Sequence, residues 1–143
     1  MPLFDDKVKK QLADILAKLK ERVTLLYFTQ EMECGACKDT HGFLQEFTEL
    51  SDKLALSVFD FVKDREKADY YKVDKVPAIV VLDREDNDTR IKFYGLPGGY
   101  EINSFIESVF EASGAGQPLP PALSQRIADI KKDVHIQVFV SLS

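Results

Sequence analysis

The sequence contains no tryptophan, two cysteines, seven glycines and six prolines in 143 residues. So little glycine and proline excludes collagen-like and low-complexity proteins. Hydrophobic residues at 45% and charged residues at 30% are instead typical of a packed globular protein. A chain of this length can form one domain with a substantial core but is too short for two full domains. We therefore look for a single active site.

Positive charge is also scarce, because 19 Lys and Arg stand against 24 Asp and Glu and give a net charge of −5. No basic stripe with interleaved aromatic residues is present, which disfavours a nucleic-acid partner. Charged residues interrupt the first twenty positions, so they lack the apolar core of a signal peptide, and no run approaches the length of a membrane span. We expect a cytoplasmic protein that does not bind membranes and acts on proteins or small molecules.

Hydrophobic periodicity predicts alternating helices and strands. Apolar residues at helical spacing predict four helices, at about 5–21, 37–53, 64–71 and 102–110. Runs rich in β-branched and aromatic residues predict four strands, the last two joined by an acidic hairpin turn at 83–88: 23–28, 54–62, 77–82 and 90–94. The order α-β-α-β-α-β-β-α predicts a three-layer α/β/α domain over residues 1–112, with a mixed sheet between the helices.

The end of the sequence resembles its beginning. Residues 113–121 break every periodicity and are predicted to form a linker. Beyond them, a constant offset of 111 places Ile127 under Leu16 and Val134 under Val23. Residues 122–143 are therefore predicted to form a helix and strand like those that begin a second, truncated unit.

The predicted final strand, Val134–Val140, is apolar and has too little chain after it to build a second domain. A free apolar strand is an aggregation hazard. We expect it to pair with the sheet edge of its own domain or with a second copy of the chain, which would give a homodimer.

The two cysteines lie in one motif, Glu33-Cys34-Gly35-Ala36-Cys37-Lys38, between a predicted strand and a predicted helix. Two intervening residues let the sulfur atoms reach disulfide distance. Unpaired N–H groups at the helix start stabilise a thiolate and lower the pKa of the first cysteine. Cys34 is then the nucleophile that attacks a substrate disulfide, and Cys37 is the thiol that resolves the mixed disulfide.

These residues resemble the thioredoxin/glutaredoxin-fold family. The matching features are an apolar strand before Cys-Gly-Ala-Cys, Val76-Pro77 before another strand, and a hairpin with Gly95 before the last helix. The resemblance implies a thioredoxin fold, a cis Pro77 beside the cysteines, and a Val76 backbone that binds an extended substrate segment. The extra N-terminal helix and the restarting helix-strand unit are most similar to the N-terminal unit of two-unit, glutaredoxin-like protein disulfide oxidoreductases.

The resemblance also implies partners: protein disulfides as substrates, and a thioredoxin-reductase-like flavoprotein or glutathione as electron donor. No cofactor other than the redox-active disulfide is expected. Related units form the N-terminal part of bacterial alkyl hydroperoxide reductase flavoproteins, so an electron relay in a peroxide-reducing system is an alternative function. The potential and direction of the exchange do not follow from the motif, because the same spacing serves reductases, oxidases and isomerases.

The motif departs from thioredoxins at two positions. Thioredoxins usually have tryptophan directly before the first cysteine, where this chain has Glu33, whose carboxylate favours the neutral thiol. They also place a buried carboxylate six positions before that cysteine, where this chain has Phe28. The proton of Cys37 must therefore leave through water, His41 or a nearby glutamate.

Other interpretations of the cysteines stay open. Cys34, Cys37 and His41 have spacing suited to metal ligands, but zinc usually takes four ligands and no fourth is evident, so no mononuclear metal site is expected. An iron–sulfur cluster bridging two subunits through Cys34 is a further alternative. A non-enzymatic substrate-binding module is the last, and inactivity in disulfide reduction would distinguish it.

Overall fold

The computed structural model describes residues 2–141 and contains a four-stranded sheet with helices on both faces. The elements in chain order are α1 (Asp6–Leu16), β1 (Val23–Thr29), α2 (Cys37–Thr48), β2 (Leu54–Asp60), α3 (Arg65–Tyr70), β3 (Ala78–Leu82), β4 (Asp88–Tyr94), a 3-10 turn (Gly99–Glu101), α4 (Ile102–Ala112) and α5 (Pro121–Ala128). The predicted three-layer α/β architecture is confirmed. No helix in this part of the chain is long and apolar enough to cross a membrane.

The sheet has the order β2-β1-β3-β4, with β1 parallel to β2 and antiparallel to β3. Strand β1 is therefore internal and held on both edges. Its continuous apolar run agrees with this position, because an internal strand covered on both faces has no side that can be polar. The last residue pair of the β1–β3 ladder is Phe28 with Ala78. The loop after β1 and the loop before β3 therefore meet at one end of the sheet.

The two faces of the sheet carry separate core clusters. The first core cluster joins Val23, Leu25 and Tyr27 of β1 to buried residues of α1, α2 and α4. The second core cluster joins Leu26 and Phe28 to the short helix α3 and the loop after it. This division follows from the two-residue period of a strand, which sends successive side chains to opposite faces.

The acidic hairpin turn is built from hydrogen bonds within the chain. The Asp83 carboxylate accepts the backbone N–H groups of Glu85 and Asn87 at 2.9 and 3.0 Å. These bonds lower the pKa of Asp83, that of Asn87 contributing most. Asp86 accepts a hydrogen bond of 3.2 Å from Arg22, the residue before β1. Asp83 therefore stabilises the turn itself, and Asp86 attaches the turn to the end of the sheet that is away from the cysteine motif.

Several element ends differ from the sequence prediction. Helix α1 ends at Leu16 and helix α2 at Thr48, each about five residues before the predicted end. After each helix the chain turns while apolar residues continue at helical spacing: Leu19 is buried and Leu50 packs against the first core cluster. Buried residues in these turns therefore continue the apolar spacing of the helix, which made the predicted helices too long.

The C-terminal extension, residues 117–141, lies on the surface. The predicted helix is present as α5, but the predicted strand at Val134–Val140 does not form, and its pairing with the sheet of its own domain is wrong for this chain alone. Residues in this stretch are exposed and no strand lies beside them, so their backbone lacks the partner that strand formation requires. Residues 142 and 143 of the proposed second unit lie outside the described residues, and the assignment of 122–143 to such a unit stays a prediction.

Candidate active site

Cys34 and Cys37 are joined by a disulfide bond, with their Cα atoms 5.4 Å apart. Cys34 lies in the turn before α2 and is partly exposed, whereas Cys37 is the first residue of the helix and is only 4% exposed. Helix α2 therefore begins at Cys37, where the hydrophobic periodicity predicted its start, and Cys34 precedes it by three residues. Of the two cysteines, Cys34 is therefore the more exposed residue and Cys37 the buried one.

The main chain of Cys37 is fixed to the sheet by a tyrosine. The hydroxyl of Tyr27, in β1, donates a hydrogen bond of 2.6 Å to the carbonyl oxygen of Cys37. Tyr27 is fully buried, and burial raises the pKa of its phenol above the ordinary value of about 10. The hydroxyl therefore keeps its proton at neutral pH and acts as a donor.

Sequence reasoning did not identify Tyr27 as a site residue. The available signal was the alternation of β1, which places Tyr27 on the face opposite Phe28 and toward α2. A tyrosine in an otherwise apolar strand needs a partner for its hydroxyl when it is buried. The identity of that partner, a carbonyl ten residues later, depends on how α2 crosses the sheet and cannot be deduced from the periodicity.

The loop before β3 contains the Val76–Pro77 peptide bond, which is cis as the resemblance implies. Pro77 is buried, and its carbonyl accepts a hydrogen bond from Gly95 at 2.9 Å. Val76 is partly exposed, and its backbone N–H and carbonyl make no hydrogen bond with any residue in 2–141. The β1–β3 register brings this loop to the end of the sheet from which the cysteine turn departs.

The neighbours of the cysteines are open to solvent. Glu33, Gly35, Ala36 and Lys38 are all exposed, so the motif carries one acidic and one basic side chain open to solvent. Glu33 adopts a positive φ of 56°, in the left-handed region that disfavours most side chains. A glutamate therefore occupies a backbone conformation better suited to glycine or asparagine, where the chain turns into the motif.

His41 packs its ring against Tyr27, with centroids 5.5 Å apart. It is partly buried and follows Cys37 by one helical turn. Over residues 2–141, the structure contains no group of three or more His, Cys, Asp or Glu side chains placed to hold a metal ion.

A shallow depression lies beside the cysteine turn on the side of β2. Its lining includes two exposed apolar side chains, Met32 and Val62, together with Glu31, Glu33 and Lys63. These side chains place apolar and charged surface beside the turn that contains Cys34.

The thioredoxin family model matches residues 4–108 of the chain. This range includes the first helix, all four strands, the cysteine motif and the Val76–Pro77 loop. The match supports the resemblance that the sequence motifs indicated.

Among curated proteins, the chain is similar to a Staphylococcus aureus protein, the F component of alkyl hydroperoxide reductase, with 25% identity over 136 residues. That match covers 92% of this chain and 24% of the relative. A protein named NADH dehydrogenase from Bacillus subtilis is also 25% identical, over 99% of this chain and 25% of its own length. The chain thus spans about a quarter of the curated relatives it matches.

Two solved structures extend the comparison. The alkylhydroperoxide reductase component AhpF from Enterococcus faecalis superposes with a TM-score of 0.80 and 35% identity, covering 90% of this chain and 62% of that one. A protein disulfide oxidoreductase from Aeropyrum pernix has the same fold, with a TM-score of 0.77, 23% identity and coverage of 89% and 55%. Coverage of 90% leaves about 14 of 143 residues unmatched, so the match passes residue 108 and enters the C-terminal extension.

The family model spans most of the chain, and the fold, the cysteine pair and the proline loop all agree with it. The chain belongs to the thioredoxin family, and its fold is that of the Enterococcus faecalis and Aeropyrum pernix structures.

Proposed function

We propose that the chain exchanges disulfides with protein substrates, with Cys34 as nucleophile and Cys37 as resolving thiol. The observation that carries this proposal is the asymmetry of the pair: Cys34 is partly exposed and Cys37 is buried. An attacking thiol must be reachable by a second molecule, whereas a resolving thiol has only to reach its neighbour.

Disulfide exchange proceeds in two thiol–disulfide steps. In the reduced protein, the Cys34 thiolate attacks one sulfur of a substrate disulfide, and the other substrate sulfur leaves as a thiolate. Cys37 then loses its proton and attacks Cys34, which forms the protein disulfide and releases the second substrate thiol. Two electrons pass from the protein to the substrate, and an electron donor must restore the dithiol.

Val76 and Pro77 are proposed to bind the substrate segment around its disulfide. The Val76 backbone has an N–H and a carbonyl without protein partners among the described residues, so both stay available to an extended chain. The exposed side chains of Met32 and Val62 add apolar contact area beside the cysteine turn. Backbone pairing and apolar contact both suit a polypeptide substrate rather than a small disulfide.

The electron donor is proposed to be a flavoprotein of thioredoxin-reductase type, in a cytoplasmic setting, with the chain relaying electrons toward peroxide reduction. Similarity to the F component of alkyl hydroperoxide reductase supports this choice over glutathione. A relay of this kind requires a reducing couple, so we expect a potential of about −270 mV or lower. A value near about −180 mV would instead indicate an oxidase or isomerase.

Reduction of insulin by the full chain, with dithiothreitol as reductant, tests the proposed activity. We expect wild-type protein to accelerate insulin reduction and Cys34→Ser to fall to the rate of dithiothreitol alone, because the variant lacks the attacking sulfur. Equal rates for the two proteins would refute Cys34 as nucleophile, and inactivity of both would favour a binding module.

We also propose that Val134–Val140 pairs with a second copy of the chain. In support, Val134, Ile136, Val138, Phe139 and Val140 are 64–89% exposed, an apolar stretch unlike the rest of the surface. Sedimentation of the full chain should show a dimer that Val138→Asp weakens. A monomer at all concentrations, with unprotected amides at 134–140, would overturn the pairing.

A further inference from the structure

Resting on the proposed exchange activity, we propose that Tyr27 is a positioning residue that favours formation of the Cys34–Cys37 disulfide by holding the main chain of Cys37 against the sheet. It touches neither sulfur nor substrate. Its role is therefore to set how readily the resolving cysteine closes the disulfide.

The contact is short and shielded from water. The Tyr27 hydroxyl lies 2.6 Å from the Cys37 carbonyl oxygen, and Tyr27 is fully buried. Losing this hydrogen bond leaves a buried carbonyl with fewer partners.

The tyrosine lies in β1, one of the two internal strands of the sheet. Strand β1 pairs along its length with β2 on one side and with β3 on the other. The Tyr27 ring is further enclosed by the first core cluster and by the ring of His41. The hydrogen bond therefore holds Cys37, the first residue of α2, at a fixed distance from β1.

A fixed Cys37 backbone favours the disulfide for an entropic reason. Oxidation by glutathione disulfide converts the two cysteine thiols into one protein disulfide and yields two glutathione thiols. The second step closes Cys37 onto the mixed disulfide at Cys34, so its equilibrium depends on the effective concentration of the Cys37 thiol. A backbone already held in place loses less freedom on closure.

A purely structural role would give a different result. If the hydroxyl stabilised the dithiol and disulfide forms equally, its removal would lower the stability of both and leave the redox equilibrium unchanged. A positioning role predicts a larger loss in the disulfide form, where the ordered first turn is required. The redox equilibrium constant therefore separates the two roles.

The experiment equilibrates wild type, Tyr27→Phe and Tyr71→Phe with glutathione buffers and counts free thiols. Tyr71→Phe is the matched control, because Tyr71 is a partly buried tyrosine of the second core cluster whose hydroxyl makes no hydrogen bond with any residue in 2–141. We expect Tyr27→Phe to form the disulfide about threefold to tenfold less readily, a potential higher by about 15–30 mV. Tyr71→Phe should match wild type.

If wild type forms the disulfide and Tyr27→Phe has the same redox equilibrium constant with glutathione, the inference is wrong and the proposed function still stands. Failure of the wild type to form an intramolecular disulfide in any buffer would refute the proposed function itself. Denaturant unfolding of each protein in both redox states is an independent test. A positioning role requires Tyr27→Phe to lower the free energy of unfolding of the disulfide form more than that of the dithiol form.

Discussion

Two adjacent residues of β1 make different kinds of contact on the two faces of the sheet. Tyr27 faces α2 and offers a buried hydroxyl to the backbone of Cys37. Phe28 faces α3, where its ring lies 5.5 Å from that of Phe59 and 6.5 Å from that of Tyr71. Thioredoxins place a carboxylate at the position of Phe28, whereas in this chain the polar contact to the motif comes from the other face.

The largest change in the free energy of unfolding is expected when a carboxylate replaces Phe28 on the α3 face of the sheet. Both faces would then carry a polar group from β1. Phe28 is fully buried, so Phe28→Asp removes a packed ring and should lower the free energy of unfolding by about 3–5 kcal/mol. Phe28→Leu is the control that keeps the site apolar, with an expected cost of about 1 kcal/mol.

The same substitution has a pH dependence of known sign. Burial raises the pKa of the introduced carboxyl above its unfolded value, so the folded state binds the proton more tightly. Stability should therefore fall as the pH rises above about 4, the ordinary value of an aspartate. Denaturant unfolding at pH 4 and pH 7 measures this, and equal stability of Phe28→Asp and wild type at pH 7 would show that the α3 face accepts a carboxylate.

Most of the fold and the cysteine motif could be predicted from the sequence. The alternation of β1, the Cys-x-x-Cys spacing and the Val76-Pro77 pair predicted the sheet, the redox motif and the loop beside it. The Tyr27 contact could not be predicted, because it depends on the angle at which α2 crosses β1. The strand at Val134–Val140 was predicted from its apolar pattern and its similarity to β1, and neither supplies the neighbouring strand that is missing beside these residues.

A smaller change, in the pH dependence of Cys34 alkylation, is expected when the charges that flank Cys34 are removed. The Glu33 carboxylate opposes formation of the Cys34 thiolate and the Lys38 ammonium favours it, and both side chains are exposed. Glu33→Gln should move the pH profile of Cys34 alkylation by iodoacetamide to lower pH, and Lys38→Gln should move it to higher pH. Since exposed charges are screened, each shift should be about a few tenths of a pH unit and should shrink in high salt.

Shifts of the same sign in both variants, or no dependence on salt, would contradict an electrostatic origin. The alkylation profile also refines the contrast between the two faces of the sheet. It separates the influence of exposed charges on the attacking thiol from that of the buried Tyr27 hydroxyl on the resolving one.

The most direct test of the central claim, that Cys34 attacks and Cys37 resolves, is capture of the mixed disulfide. Full-length Cys37→Ser, reduced and mixed with an oxidised protein substrate, should accumulate a covalent complex that mass spectrometry maps to Cys34, because the resolving thiol is absent. Cys34→Ser should form no such complex. A complex captured through Cys37 in Cys34→Ser, with none in Cys37→Ser, would contradict the assignment.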